Sequence, residues 1–490
     1  MNFLLHLLFV ADLLTCKQAP PGTQLHIRLT SAVGSYASRT GTPVQAVLIA
    51  PVRAGGETLL PAGTSVLGTI KSVKRVGWGI VHETAALELD FNRLTLSEDD
   101  ERPISTRVEQ VDNGRERVGR NGVIHATRST SSLCYRASGY IRTALSWEIE
   151  SDLATWFVKT LVVQLPEPEI YYPSGTELTL TLTEALVLKP VAESTEAPRL
   201  TQVERVNIDS LVVELPSRSF SPYSNRPSDI VNVLLLGSRE ELSSAFVAAG
   251  WAQAHRSSFR SGIRNIRAVA EGRGYSKAPM SPLLVNRAEQ DMSWEKGLND
   301  ASKRHHIRLW KLPETWHGRE LWVGAATRDI DFAFFRPGQT LTHMVDRDID
   351  EERKKVVNDL LFTGCVEALD WLERPEVPHL TLNGTGDTMT TDSRLALIRL
   401  TQCVAPRMAA ATDTETPLPV HGGKIERFIR REILSMRSDL IRTNVYYRAY
   451  EGTRWMIEAA IRRHRRAALA GIERPEITAP ADRFPAKALQ

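Results

Sequence analysis

Three four-residue turns of one pattern punctuate the first part of this 490-residue chain, and each stands just ahead of an alternating run. The pattern is proline, any residue, glycine, threonine, and it occurs at residues 20–23, 61–64 and 173–176. Proline presets the turn and glycine adopts positive φ without steric cost, so the threonine begins a strand. The runs alternate with a period of two, as in Leu25, Ile27 and Leu29. Such alternation is typical of antiparallel strands with one wet face, and it predicts an all-β sandwich or barrel over residues 18–200.

The chain changes character after a segment rich in Pro and Ser, and we predict a linker over residues 201–228. The nearly continuous apolar run at 230–236 predicts a strand buried on both faces. Ser238 followed by Glu241 is a capping box and predicts a helix. An α+β sandwich is therefore expected over residues 229–408, with helices on one face of a mixed sheet.

The expected order inside this sandwich is strand, helix, two strands, helix and a last strand. The sequence predicts the middle strands at 305–311 and 320–327 with their turn at 316–319, a helix from Asp348, and the last strand at 395–400. Beyond the sandwich we expect a loop at 409–422, a basic helical tail at 423–470 and a disordered end at 471–490. The fold class is thus multidomain: a β-domain, an α+β domain and a helical tail.

The strongest site signal is the run Arg304-His305-His306-Ile307-Arg308-Leu309-Trp310. As a strand it places His306 and Arg308 on a common exposed face and His305 on the other, beside apolar neighbours that favour a structural role for His305. Two further polar patches, at residues 327–329 and 343–346, also combine a basic side chain with an aspartate. The resulting candidate anion-binding residues are His306, Arg308, Arg328, Asp329 and His343.

Three interpretations of these residues stay open. In an anion site, the two arginines would supply paired donors and His306 a general acid. In a metal site, His306 and His343 would act with Asp329 or Asp346, although no metal-binding spacing supports it and we predict no metal. In the third, the charges form ion pairs and caps at the ends of elements.

The region from Asp229 to Cys365 resembles the LssY C-terminal domain family. The resemblance rests on six blocks in order, at residues 231–238, 248–251, 281–283, 304–310, 322–329 and 341–353. The family takes its name from a bacterial secretion-associated membrane protein, in which the domain follows membrane segments that this chain lacks. The resemblance implies no agreed activity and no catalytic residues. The β-domain resembles the barrel of TrbI-type components of conjugation pores, which also use a Pro-Ala-Gly-Thr turn ahead of a strand.

The N-terminus predicts export. Residues 3–10 are apolar, too short to span a membrane, and fit the apolar core of a secretory signal. Residues 13–16 resemble a bacterial lipobox, which makes Cys16 a candidate lipidation site, and we assign residues 1–17 to a signal- or lipoprotein-like segment. The predicted location is periplasmic or envelope-associated. Cys365 and Cys403 are expected as buried free thiols, with a disulfide between them as the alternative in an oxidising compartment.

The basic tail is the main partner signal. Residues 424–466 contain twelve Lys/Arg against five Asp/Glu, which favours an anionic lipid or an acidic envelope polymer beside the simpler interpretation of a solvated helix end. Export argues against nucleic acid, and the β-domain is expected to bind a protein partner. Nucleophile, P-loop and dinucleotide motifs are missing from the sequence, so we predict no cofactor. We expect a non-enzymatic ligand- or partner-binding module, with a hydrolase of a phosphorylated or acidic envelope component as the alternative.

Overall fold

The computed structural model describes residues 16–97, 99–131, 166–191, 197–222, 225–255, 259–275, 277–336, 339–403 and 424–443, with isolated positions between 445 and 460. Predictions for the N-terminal segment 1–15, for the loop 409–422 and for most of the chain beyond 443 lie outside these residues. Within the described part the fold is multidomain and rich in β-structure, as the sequence predicts.

The N-terminal domain is built from short antiparallel strands. Its strands are β1 (Lys17–Ala19), β2 (Gln24–Leu29), β3 (Val33–Gly34), β4 (Pro43–Leu48), β5 (Val52–Ala54), β6 (Glu57–Leu60), β7 (Ser65–Lys74), β8 (Ala86–Ser97), β9 (Asp100–Pro103), β10 (Thr106–Val111), β11 (Arg117–Val118), β12 (Ile124–His125), β13 (Tyr171–Tyr172), β14 (Glu177–Leu182) and β15 (Leu186–Leu188). Nine of them form one nearly closed, barrel-like sheet in the order β10-β14-β2-β4-β7-β8-β12-β11, with β9 paired to β8. Alternate apolar residues of these strands fill its interior, including Leu25, Ile70 and Phe91.

The three predicted turns are present and begin β2, β7 and β14. In each, the threonine hydroxyl donates back to the proline carbonyl, at 2.7 Å for Thr23 and 2.8 Å for Thr64 and Thr176. The glycine of each turn has a φ between 91° and 96°, the left-handed backbone that only glycine adopts without strain. The prediction of strand-initiating turns is confirmed.

The second domain mixes helices and strands. Its elements are α1 (Gln202–Val212), β16 (Arg218–Phe220), β17 (Pro227–Ile230), β18 (Val233–Leu236), α2 (Arg239–Ala248), β19 (Ala252–Gln253), α3 (Phe259–Glu271), β20 (Leu284–Val285), β21 (Ala288–Glu289), β22 (Met292–Lys296), β23 (Arg304–Trp316), β24 (Arg319–Arg336), β25 (Gln339–Val345), α4 (Ile349–Thr363), β26 (Val366–Glu373), β27 (Leu380–Leu382), β28 (Thr388–Thr390) and β29 (Arg394–Leu400). A last helix, α5 (Lys424–Thr443), follows.

An eight-stranded mixed sheet organises this domain. Its order is β19-β22-β23-β24-β18-β29-β26, with β25 paired to β24. Strand β18, predicted from its apolar run, lies between β24 and β29 and pairs parallel with β29. Both faces of β18 are buried: Leu235 packs in the core under α2 and α4, and Leu234 in the core on the other side.

Helices cover both faces of this sheet, whereas the sequence predicts helices on one face only. The difference comes from α1, which lies inside the segment predicted as a linker. Its N-cap Thr201 forms a capping box with Glu204, and it buries Ile208 and Val212 in the second core. A short helix with two inward residues gives little periodicity in the sequence, and this explains why it escaped prediction.

The cysteine prediction is wrong in its preferred form. Cys365 and Cys403 form a disulfide with a sequence separation of 38 residues. It ties the start of β26 to the chain that leaves β29. The alternative of a disulfide is therefore the correct one.

Helix α5 packs against the N-terminal domain. Leu434 joins the core of that domain, and Arg430 pairs with Glu167 at 2.6 Å. Within the described residues, no helix combines the length and the apolar character that crossing a membrane requires.

Candidate functional site: two charge clusters on one strand

Strand β23 carries ionisable side chains on both faces, and its neighbours add more. In the antiparallel register, His306 lies opposite Glu295 of β22, while His305 lies opposite Lys296 of β22 and Arg328 of β24. Because side chains alternate along strands, these residues divide into two clusters on opposite faces of the sheet. We call them the Asp329 cluster (Asp229, Glu295, Arg304, His306, Arg308, Asp329, His343) and the interdomain cluster (Arg28, Asp112, Glu177, Lys296, His305, Arg328, Glu352, Lys355, Asp359).

In the Asp329 cluster, three side-chain nitrogen atoms lie close to one carboxylate oxygen. Asp329 Oδ2 accepts a hydrogen bond from Arg304 Nε at 2.7 Å and lies 3.4 Å from His343 Nδ1 and 3.6 Å from His306 Nδ1. The same guanidinium reaches Glu295 through Nη1 at 2.9 Å. The arginine thus binds two buried carboxylates at once.

Burial sets the protonation of this cluster. Loss of solvation lowers the pKa of His306 to about 3, so this imidazole is neutral at pH 7. Burial likewise raises the pKa of Glu295 to about 7, against the opposing pull of Arg304. For Asp329, burial would raise the pKa, but the neighbouring imidazoles and the Arg304 guanidinium outweigh it and lower the pKa.

Arg308 extends this cluster away from Asp329. Its Nη1 donates to Asp229 Oδ2 at 3.0 Å, and its Nε donates to the carbonyl of Ser281 at 3.3 Å. Asp229 belongs to β17, a strand of a separate four-stranded sheet that packs against β24. The guanidinium is therefore bound to groups of the protein itself.

On the opposite face, His305 joins the two domains. Its Nδ1 lies 2.5 Å from Glu352 in the first turn of α4, and its Nε2 lies 2.7 Å from Asp112, which follows β10 in the N-terminal domain. Arg328 Nη2 donates to the other oxygen of Asp112 at 3.2 Å. Burial would lower the pKa of His305, but the two carboxylates outweigh it and raise the pKa to about 9.

The interdomain cluster continues around Glu177, also in the N-terminal domain. Glu177 Oε1 accepts from Arg28 Nη2 and from Lys296 Nζ, each at 2.6 Å. Lys296 also donates to Asp359 of α4 at 3.0 Å, and Lys355 bridges Asp359 and Glu177 at 2.7 Å each. Cations and carboxylates thus alternate across the domain boundary.

The structure brings together four of the five residues predicted as an anion site. His306, Arg308, Asp329 and His343 share the Asp329 face of the sheet. Arg328 does not join them, because it is adjacent in sequence to Asp329 and a strand turns consecutive side chains to opposite faces. The sequence placed these groups on an exposed surface, whereas His306, Arg308 and Asp329 are buried.

Several partners in both clusters escaped prediction. Arg304 has the same parity as His306 and Arg308, so the alternation of β23 would have identified it. Asp112 and Glu352 carried no such signal. Asp112 stands in a turn nearly two hundred residues before His305, and Glu352 lies in the acidic first turn of α4, where negative charge is favourable without any such partner.

One arrangement has the order of a hydrolytic triad. Thr327 Oγ1 lies 2.7 Å from His306 Nε2, and His306 Nδ1 faces Asp329 at 3.6 Å, the order of hydroxyl, base and orienting carboxylate. The second distance exceeds a hydrogen bond. Thr327 is 0% exposed, so no substrate reaches its hydroxyl in this conformation.

The guanidinium of Arg304 argues against the alternative of a metal site. The two imidazoles approach Asp329 Oδ2 closely, but that oxygen already accepts from Arg304, whose permanent charge would repel a cation. Asp346, the other proposed ligand, accepts the backbone N–H of Asp348 ahead of α4. Among the described residues, no group of three or more acidic, histidine or cysteine side chains has metal-binding geometry.

Cys16, the candidate lipidation site, is partly buried and directly precedes β1. Strand β1 begins at Lys17 and pairs with β15. A lipid on Cys16 would therefore lie at the edge of the folded N-terminal domain. The lipidation stays a prediction.

Comparison with known proteins places a family on the second domain. Residues 218–395 match the family model described as the LssY C-terminus, which confirms the resemblance predicted from the six sequence blocks. The match contains β16 through the first residues of β29, and so both clusters apart from their N-terminal-domain members. No curated protein matches the chain significantly.

Among solved structures, a similar chain is ComB10 of the Com type IV secretion system of Helicobacter pylori. It is 10% identical, with a TM-score of 0.21, and the match covers 36% of this chain and 93% of that one. The similarity falls on the N-terminal part, where the sequence resembled TrbI-type barrels. At this TM-score it carries no argument about function.

Proposed function

We propose, from the LssY C-terminal region at residues 218–395, that this chain is an exported, envelope-associated bacterial protein whose second domain is a non-enzymatic binding module. One observation carries the non-enzymatic part: the polar groups of β23 are buried and bound to one another. A general base needs access to a substrate proton, and His306 lacks it. Arg308, the expected anion donor, is bound to Asp229.

The disulfide supports export. Disulfides persist in oxidising compartments such as the bacterial periplasm and are rare in the cytosol. Cys365 and Cys403 are bonded within the second domain, and the apolar segment at residues 3–10 precedes the first strand. Both features fit a protein that folds after export.

Fractionation of cells that express the full chain with a C-terminal tag tests the location. We expect the tagged chain in the periplasmic or membrane fraction, with Cys365 and Cys403 protected from alkylation until reductant is added. A chain confined to the cytosol, with both thiols reactive, would contradict export. A Cys16→Ser variant then separates lipid anchoring from soluble export, because only anchoring makes membrane retention depend on Cys16.

The hydrolase remains the second candidate because of the Thr327–His306–Asp329 arrangement. The test is a screen of the purified chain against phosphomonoesters, phosphodiesters and carboxylic esters, with Thr327→Val and His306→Asn variants beside the wild type. We expect no turnover above background. A wild-type turnover that both variants lose, while their thermal unfolding stays cooperative, would establish the hydrolase.

The anion-binding hypothesis for His306, Arg308, Arg328, Asp329 and His343 has a separate test. In the structure, an anion at Arg308 would have to displace Asp229. We therefore expect phosphate to leave the thermal midpoint of the wild type unchanged beyond its general salt effect, which an equal ionic strength of chloride measures. A phosphate-specific rise that an Arg308→Lys variant abolishes would support an anion site.

The partners of this module are expected at its surface. The basic tail fits an anionic lipid or acidic polymer, and the β-domain fits a protein partner. Because Arg430 and Leu434 dock α5 on the N-terminal domain, α5 presents its remaining face at a fixed position on that domain.

A further inference from the structure

Helix α5 has one face against the N-terminal domain. Arg430 Nε donates to the carbonyl of Gly77, Leu434 packs on Gly79, and Arg437 Nη2 donates to the carbonyl of Val81. Successive helical residues are about 100° apart, so these three inward residues fall within one narrow arc of the helix. The loop of residues 76–81 consequently runs alongside α5 for about two turns.

A second arc of α5, about 90–150° around the helix axis from the inward residues, carries exposed apolar side chains. Ile425, Met436 and Leu440 are 77%, 64% and 68% exposed, and they lie within about 60° of one another around the helix axis. Ile429 lies within this arc and Phe428 beside it, and both are also exposed. Glu432 lies at the edge of the arc, between Phe428 and Ile425, and is half-buried. Packing of the described residues does not explain this stripe, because it points away from the core that Leu434 enters.

The loop beside α5 adds a second apolar element. Trp78, Ile80 and Val81 are 46%, 71% and 72% exposed, although the backbone of this loop is held by Arg430 and Arg437. Three large apolar side chains on a six-residue loop are more than chance exposure of single residues. A loop whose backbone is fixed while its apolar side chains are exposed can insert those side chains into a membrane.

The charge around this surface indicates the chemistry of its partner. The sequence of α5 contains six cations (Lys424, Arg427, Arg430, Arg431, Arg437 and Arg442), of which Arg430 and Arg437 face the N-terminal domain, and three carboxylates (Glu426, Glu432 and Asp439). The chain beyond α5 continues this excess to Arg466. Exposed Lys74 lies on β7 just before the loop. A partner that is anionic at its surface and apolar beneath it satisfies both the charges and the stripe.

We propose that α5 and the loop of residues 76–81 form a membrane-docking surface that inserts Trp78, Ile80, Val81, Met436 and Leu440 into the interface of an anionic phospholipid bilayer. This inference rests on the proposed function for its biological setting, and it assigns the lipid contact to a defined surface on the folded domain. Tryptophan at such a surface matches its enrichment at membrane–water interfaces.

Vesicle co-sedimentation of the full chain tests the proposal. Wild type is compared on vesicles of phosphatidylcholine alone and of phosphatidylcholine with phosphatidylglycerol, and we expect binding to the anionic vesicles that falls with added salt. The double variants Ile80→Ser/Val81→Ser and Met436→Ser/Leu440→Ser should each lower the partition coefficient about tenfold or more. Each removes two apolar side chains that the bilayer would bury. The N-terminal apolar segment is common to all variants and cancels in the comparison.

Control variants distinguish this surface from general hydrophobicity. Val203→Ser on α1 and Ile266→Ser on α3 remove side chains that are equally exposed but lie elsewhere, and they should bind vesicles as wild type does. Thermal unfolding verifies that every variant is folded. Trp78→Phe should remove the blue shift of tryptophan emission that we expect when wild type meets anionic vesicles.

Two outcomes would overturn the proposal. In one, both double variants bind anionic vesicles as well as wild type does. In the other, wild type does not bind them and sediments as a dimer that Met436→Ser/Leu440→Ser dissociates, which would make the stripe an interface between two copies. Vesicle binding by a chain that fractionates in the cytosol would support the surface and contradict the envelope location, so the two proposals fail separately.

Discussion

At the scale of single residues, β23 shows how a protein buries charge. Removing an ionised group from water is expensive unless a partner is in place. In both clusters each buried cation lies against a carboxylate, and His306, whose closest contact is the hydroxyl of Thr327, stays neutral. These pairs hold the fold together only while both members are present.

We expect Asp229→Ala to lower the free energy of unfolding by about 3–5 kcal/mol, because it leaves the guanidinium of Arg308 buried without its partner. Urea unfolding followed by fluorescence measures this change. The control is Glu101→Ala, which breaks the exposed pair with Arg93 and should change stability by no more than about 1 kcal/mol. Equal effects of the two substitutions would show that Arg308 does not depend on Asp229.

His305 predicts a pH dependence of stability. Its folded pKa of about 9 lies above the ordinary 6.5, so the folded state holds this proton more tightly than the unfolded state does. Its contribution is therefore fully present below pH 6.5 and is lost as the pH rises through 9. In urea unfolding, the stability difference between wild type and His305→Gln should shrink from pH 6.5 to pH 9. A difference that stays constant over this range would mean that His305 does not bridge Asp112 and Glu352 as an imidazolium.

At the scale of elements, local signals in the sequence begin and end the helices and strands. Ser238 caps α2, because its hydroxyl accepts a hydrogen bond from the backbone N–H of Glu241. The Glu241 carboxylate in turn accepts one from the backbone N–H of Ser238. His317 and Gly318 both have positive φ, which is the two-residue turn that matches the twist of the hairpin between β23 and β24. Such features depend on neighbours in the chain and were therefore predictable.

Removing the cap of α2 should cost about 1 kcal/mol. Ser238→Ala deletes the acceptor for a backbone N–H at the helix start, and thermal or urea unfolding measures the loss. Ser244→Ala is the matched control, since Ser244 is exposed within the same helix and alanine favours helix. A loss as large from Ser244→Ala would contradict the role of the cap.

At the scale of the whole molecule, the interdomain cluster and the disulfide are among the links that connect distant parts of the chain. The interdomain cluster joins the N-terminal domain to β23 and α4, and the disulfide closes the segment between β26 and the end of β29. A cross-link stabilises mainly by restricting the unfolded chain, and a loop of 38 residues corresponds to about 4 kcal/mol.

We therefore expect the double variant Cys365→Ser/Cys403→Ser to lose up to about 4 kcal/mol of unfolding free energy in urea. Wild type with reductant should approach the stability of the variant, and Cys16→Ser should match the wild type. Peptide mapping without reductant should recover the peptides of Cys365 and Cys403 joined. Two separate peptides in protein from an oxidising compartment would contradict the bond.

The sequence by itself determined the features that depend on residues close together in the chain. It predicted the strand-initiating turns, the buried run of β18, the cap of α2, the alternation of β23 and the LssY family blocks, because each depends on residues within a few positions of one another. Tertiary structure alone decided the rest. Whether His343 met Asp329, whether His305 met Asp112, and whether the cysteines bonded all depended on how separate parts of the chain came together. Register and domain packing arise from contacts across long sequence separations, and no short pattern records them.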